Sequence, residues 1–169
     1  EICNGDTIFF TNTSINAEQI TWHLPDNSTS SDETPFFKFE NNTSSILYTT
    51  VLLESRSEFG CVDSIERIIT VYPQPQGDII MDTTQGCHPV IVQLQAPVGG
   101  KSYMWDLGDG TLINGSNKLS HTFVNTTKLN ITYPIEVTIT SMNGCVQTLY
   151  NSITVFPSPT ALFEIDTNI

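Results

Sequence analysis

Basic residues are scarce in this chain: 6 Lys and Arg stand against 18 Asp and Glu over 169 residues, a formal net charge of −12. With no basic patch or stripe, a polyanion finds no electrostatic footprint, so neither nucleic acid nor an anionic membrane surface is an expected partner. Long apolar runs are missing too, none approaching the roughly 18 residues that a spanning helix needs, and membrane insertion is not expected. Apolar residues nowhere recur at helical spacing, which argues against an α-helical fold. The four cysteines include no CxxC pair, which weighs against zinc. Nucleophile elbow, His-Glu metal motif, phosphate loop and repeated acid pair are all absent, so no enzyme is expected. The adjacent Asp32 and Glu33 sit in a Ser/Thr-rich stretch that reads as solvated surface.

What the chain does contain is itself, twice. Gly60-Cys61-Val62 returns 84 residues later as Gly144-Cys145-Val146, and Thr70-Val71-Tyr72-Pro73-Gln74-Pro75 returns as Thr154-Val155-Phe156-Pro157-Ser158-Pro159. Cys3 and Cys87 obey the same offset, so each repeat spans 58 positions from first cysteine to second. A period of this length is a domain in tandem rather than a solenoid turn. Four cysteines allow three pairings, and the parsimonious one gives each repeat its own bridge: Cys3 with Cys61 and Cys87 with Cys145. A bridge closing a loop of that size contributes about 4 kcal/mol in the chain-entropy view, a useful staple for a small domain. Disulfides imply an oxidising compartment or the cell exterior.

Short runs rich in Val, Ile, Thr, Tyr and Phe alternate with polar residues and end at Gly, Pro, Asn or Ser, the pattern of an all-β chain. The clearest strand is Ile135-Glu136-Val137-Thr138-Ile139-Thr140, with aliphatics on one face and polar residues on the other. Its expected partners close each repeat at Ile68–Val71 and Ser152–Val155. Gly99-Gly100, Gly108-Asp109-Gly110 and Asn143-Gly144 supply turns. About seven strands per repeat make an immunoglobulin-type sandwich, with Trp22 and Trp105 at inward positions beside the bridge. The expected boundaries are a first domain over 1–75, a second over 76–159, and a segment 160–169 that reads as the first strand of a further repeat or as a donor strand. The first domain lacks that strand. The alternate prolines at 73 and 75 stiffen the connector.

Trp105-Asp106-Leu107-Gly108-Asp109-Gly110-Thr111, then His121-Thr122-Phe123, then Tyr133-Pro134-Ile135-Glu136-Val137, resembles the polycystic-kidney-disease (PKD) domain family, whose pattern is W-D-F-G-D-G, H-x-Y or H-x-F, and Y-x-V on a strand. The first repeat is a degenerate copy, with Trp22-His23-Leu24-Pro25-Asp26-Asn27 in place of the glycine turn and Phe37-Lys38-Phe39 in place of the histidine motif. Gly-Cys before the final strand and Val-x-Pro-x-Pro after it are similar to PKD-like repeats of very large Bacteroidetes surface proteins, among them gliding-motility adhesins and other type IX secretion cargo. The resemblance implies stalks or filaments that carry adhesive parts away from a cell.

The resemblance also suggests Asp106 and Asp109 as candidate calcium ligands, although capping of a tight turn is the favoured role for both, and the first repeat has His23 where Asp106 stands. No other cofactor is expected. His121 is read as a packing residue. Seven N-x-S/T sequons, at Asn12, Asn27, Asn41, Asn42, Asn114, Asn125 and Asn130, are candidate glycosylation sites in loops. Asp6-Thr7-Ile8, Asp63-Ser64-Ile65 and Asp82-Thr83-Thr84 resemble the O-glycan acceptors of Bacteroidetes.

Ala161-Leu162-Phe163-Glu164-Ile165-Asp166 corresponds to the strand beginning at Asp78, and the first repeat has no equivalent of it. The chain therefore reads as a mature segment whose neighbour, head to tail, fills a gap with residues 161–166. That neighbour is either the next repeat of one long array, the favoured form, or a separate subunit that donates its strand. The expected function is a structural and adhesive module of an extracellular, cell-surface stalk or filament. Its partners would be neighbouring copies or repeats and, beyond them, surface glycans or other cells. The alternative is a non-catalytic accessory region of a secreted hydrolase.

Overall fold

A computed structural model describes residues 1–165 and divides the chain into two compact units, Glu1–Gln74 and Pro75–Ile169. Unit 1 holds β1 (Ile2–Cys3), β2 (Thr7–Phe9), β3 (Gln19–His23), β4 (Thr29–Ser30), β5 (Phe36–Lys38), β6 (Leu47–Arg56) and β7 (Val62–Tyr72). Unit 2 holds β8 (Ile80–Met81), β9 (Gln85–Cys87), β10 (Val90–Gln95), β11 (Gly100–Asp106), β12 (Leu112–Gly115), β13 (Lys118–Phe123), β14 (Ile131–Ser141) and β15 (Val146–Phe156). No helix occurs among the described residues. The fold is all-β, as the alternation predicts.

Each unit is a sandwich of two sheets with the same topology. Unit 1 has a five-stranded sheet in the order β1-β7-β6-β3-β4 facing the pair β2-β5; unit 2 has β12-β11-β14-β15-β9 facing β13-β10-β8. The last strand of each unit is flanked by an antiparallel hairpin partner on one side and a short parallel strand, β1 or β9, on the other. Alternation sets the inward face: Ile135, Val137 and Ile139 on β14 are buried, while Glu136, Thr138 and Thr140 between them are not. They meet Val92 and Leu94 of β10 and Phe123 of β13 in one core around Trp105. Unit 1 builds a smaller core around Trp22, Phe39, Val51, Leu53 and Val71. Both indoles are buried, and each donates its Nε1–H to a backbone carbonyl at 3.1 Å, Asp32 O for Trp22 and Ser116 O for Trp105.

The expected cysteine pairing is corrected. Cys61 and Cys87 are free and exposed, whereas Cys3 and Cys145 are the disulfide-bonded cysteines. Strand register gives the reason. Cys3 lies opposite Tyr72 at the end of β7, while Cys61 immediately precedes Val62 at its start. Ten residues of extended chain separate those ends by roughly 33 Å, far beyond the ~7 Å between Cα atoms that a disulfide tolerates. In unit 2, Cys87 opposite Phe156 and Cys145 before Val146 repeat the geometry along β15. Neither unit carries the expected bridge between its own two cysteines.

Candidate functional site

In unit 2, β8 runs along β10 in antiparallel register, Leu94 opposite Met81 and Gln95 opposite Ile80. Three further contacts seat it: Asp82 N–H donates to Gln93 O, Gln93 N–H donates to Asp82 Oδ1, and Asn151 Nδ2 donates to Ile79 O. Ile79 is thereby buried in the core. Unit 1 has no counterpart of β8 among the described residues, and its second sheet has two strands instead of three. In that place lies a groove of about 350 Å³ lined by Phe9, Phe10, Val51, Ile65, Arg67 and Ile69, with Trp22 and Leu53 at its floor.

The 84-residue offset matches the lining to the bed of β8: Phe10 to Leu94, Arg67 to Asn151 and Ile69 to Ile153. Leu94 and Ile153 are fully buried, yet Phe10 and Ile69 are only partly so, since none of the described residues covers them. Phe9 is exposed and stacks on Phe36 with ring centroids 5.8 Å apart. Exposed backbone on an edge strand beside uncovered apolar side chains is a ready template for strand addition.

Among the sequence candidates for that strand, Ala161, Leu162, Phe163, Glu164 and Ile165 are in no strand and are exposed; Asp166 lies outside the described residues. The same offset places Phe163 on Ile79 and Ile165 on Met81.

The glycine turn of unit 2 is held by its aspartates. Asp106 Oδ1 accepts from Gly108 N–H at 2.9 Å and Asp109 Oδ1 from Thr111 N–H at 3.0 Å, both Asx caps. The other oxygen of Asp109 meets His121 Nε2 at 2.7 Å, and the imidazole lies edge-on to Phe123, centroids 4.7 Å apart. His121 thus packs, as expected, and in addition carries a charge partner that sequence reading missed. Unit 1 keeps this form with other residues: Phe37 packs edge-on to Phe39 at 4.9 Å, and Asp26 Oδ1 accepts from Ser28 N–H at 2.9 Å. Asn27, at φ +66°, takes the positive φ that Gly110 takes at +93°. No group of three or more His, Cys, Asp or Glu residues disposed for a metal ion occurs among the described residues.

Burial raises the Asp109 pKa, but hydrogen bonds from His121 and Thr111 outweigh it and hold the carboxyl below its ordinary value. A carboxylate with a depressed folded pKa stabilises above its unfolded pKa of about 3.9, and that contribution disappears as pH falls through the lower folded value. Calorimetric melts of unit 2 between pH 5 and 2 should therefore fall less steeply for Asp109→Asn than for the wild type. Equal slopes would assign the pair no share in acid stability.

Two of the seven sequons prove to be parts of the fold. Asn41 and Asn125 are buried, with both amide hydrogens engaged: Asn41 Nδ2 donates to Ser45 O and Val71 O, each at 2.8 Å, and Asn125 Nδ2 to Leu129 O at 2.8 Å and Val155 O at 2.7 Å. Their Oδ1 atoms accept from the backbone and hydroxyl of Thr43 and Thr127. The threonine of each sequon is a turn residue, so glycosylation at Asn41 or Asn125 is incompatible with the folded units. A signal was present: of the sequons, only these two recur at the 84-residue offset. Asn27, Asn42, Asn114 and Asn130 are exposed, and Asn12 is half-buried with its amide on Glu33 at 2.8 Å.

No protein-family model matches this chain, and no curated protein does. Solved structures do. The chain is similar to fibronectin(III)-like modules of Clostridium thermocellum CbhA at 8% identity, covering 92% of this chain and 87% of that one, with a TM-score of 0.38. It is similar to murine CEACAM1b at 10% identity, covering 93% and 95%, with a TM-score of 0.36. Against SGBP-B of the Bacteroides ovatus mixed-linkage glucan utilization locus, solved with a mixed-linkage heptasaccharide, identity is 11%, coverage 91% and 42%, and the TM-score 0.32. The sandwich class of this chain follows from the sheet order and the common core of each unit.

Proposed function

We propose that this chain is a structural module of an extracellular stalk or filament, built from PKD-like sandwiches joined head to tail, in which residues 161–166 of one repeat complete the open sheet of another. The observation that carries this reading is the groove beside β2, lined by the counterparts of the residues that bury β8 in unit 2. Phe163 enters it as Ile79 does in unit 2, Ile165 follows on the same face, and Arg67 offers donors to the strand's carbonyls where Asn151 does in unit 2. Burying a phenylalanine contributes roughly 2–3 kcal/mol, and strand pairing adds to it. The net negative charge keeps laterally adjacent fibres apart. A disulfide in the fold fits an oxidising, extracellular setting.

The test is a peptide of residues 160–169 titrated into the full chain and followed by amide chemical shifts. Perturbation centred on Phe9, Phe10, Arg67 and Ile69, and lost when Phe163 is replaced by Asp in the peptide, is the expected result. No perturbation there, together with saturable binding of the chain to an insoluble glycan, would replace the filament by the accessory-domain reading.

A further inference from the structure

The buried asparagine of each unit also donates its backbone N–H, and the two acceptors differ in kind. Asn41 N–H donates to Asn4 Oδ1 at 2.6 Å, and Asn125 N–H donates to His88 Nδ1 at 3.0 Å. Asn4 and His88 stand at equivalent places, 84 residues apart. Their backbones are held alike, Asn4 N–H on Tyr72 O at 2.8 Å and His88 N–H on Phe156 O at 2.9 Å, so the difference lies in the side chain. An amide oxygen accepts at any ordinary pH. An imidazole nitrogen accepts only while it carries no proton, which puts the proton of the neutral ring on Nε2.

His88 joins three segments of unit 2. It follows β9, its carbonyl accepts from Ser158 Oγ at 2.7 Å in the segment after β15, and its ring holds the link between β13 and β14 on which Asn125 lies. The ring is half-buried beside a polar hollow. Besides His88, Lys128 of that link is the one charged residue lining the hollow, and no carboxylate lines it to receive a further N–H. From β9 comes the exposed thiol of Cys87, and the segment after β15 brings no titratable side chain to the hollow. We infer that His88 is a pH-operated pin confined to unit 2. Neutral, it ties the β13–β14 link to the end of β9. Protonated, its Nδ1–H faces the Asn125 N–H, two donors meet, and the link is released at that point. The tie is complete above the range of about pH 5–8 in which an imidazole changes charge, and it is lost as pH falls through that range. Unit 1, with Asn4 in this place, gives no such response, so two repeats of one fold answer mild acid differently.

Backbone amide exchange of the full chain, each rate taken relative to its intrinsic rate at the same pH, is measured at pH 7.5 and pH 5.5. The expected result is a roughly tenfold loss of protection at Asn125 N–H on acidification, with Asn41 N–H in the same sample unchanged. His88→Asn installs the acceptor that unit 1 uses and should abolish the pH dependence at Asn125. Because His23 and His121 still titrate in that variant, the comparison assigns the effect to position 88. His88→Ala, which offers no acceptor, should leave Asn125 weakly protected at both pH values. Equal protection at both pH values in the wild type, or a loss that persists in His88→Asn, would overturn the pin. Should His88→Asn not fold, the imidazole nitrogen shifts of the wild type decide. A neutral ring protonated on Nε2 at pH 7.5, whose titration moves the Asn125 amide resonance, supports the pin, and a ring that carries its proton on Nδ1 at that pH overturns it.

Discussion

Asn125→Asp is expected to lower the melting temperature of unit 2 by on the order of 15 °C or more. The amide nitrogen of Asn125 is the donor shared by Leu129 O and Val155 O, and its oxygen already accepts from Thr127. Aspartate keeps the shape but turns the donor into a second acceptor facing two carbonyls, in a position that is 1% exposed. Leaving buried polar groups unpaired costs about 1–3 kcal/mol each, and an uncompensated buried carboxylate costs more. A domain of this size has only ~4–12 kcal/mol in total. Asn125→Ala, which removes the donor without adding repulsion, should lie between the two, and Asn41→Asp should affect unit 1 in the same way. Differential scanning calorimetry reads all three. A change of a degree or two for Asn125→Asp would show that the amide bonds are replaceable by water.

Gly108→Ala is expected to cost unit 2 more than 3 kcal/mol, whereas Gly110→Ala, two residues away, costs about 1 kcal/mol. Both glycines have positive φ, +72° and +93°, so both substitutions incur left-handed strain. They differ in space. A Cβ on Gly108 would overlap Pro134 O and lie 2.7 Å from Pro134 Cδ, whereas one on Gly110 meets nothing within 4 Å. Relief requires the turn to move off β14, which carries the buried Ile135 and Val137. Urea unfolding of both variants separates strain from overlap; equal losses would show that the turn shifts at little cost. Unit 1 avoids the question with Pro25 at this place and Asn27 supplying the positive φ.

The strand faces, the inward tryptophans, the turns and the tandem organisation were legible in the chain because each is a local matter. Period-two alternation assigns a side chain to a face whatever its partners, and Gly or Asn supplies positive φ within a few residues. The buried asparagines were half legible: N-x-T marks both a surface glycan acceptor and an Asx turn, and only burial beneath Val71 O and Val155 O distinguishes them. His121 was placed correctly as a packing residue, while its bond to Asp109, 12 residues away, depends on how β13 lies beside the turn.

The sequence by itself determined that this protein is two β-sandwich repeats, acidic and turn-rich, with Trp22 and Trp105 inside, since composition and short-range periodicity carry that information directly. Only the tertiary structure decided the cysteines and the groove. A spacing of 58 residues says nothing of distance in space until strand register places Cys3 and Cys61 at the two ends of β7. The groove of unit 1 becomes visible only when Phe10 and Ile69, far apart in sequence, are seen lining one surface.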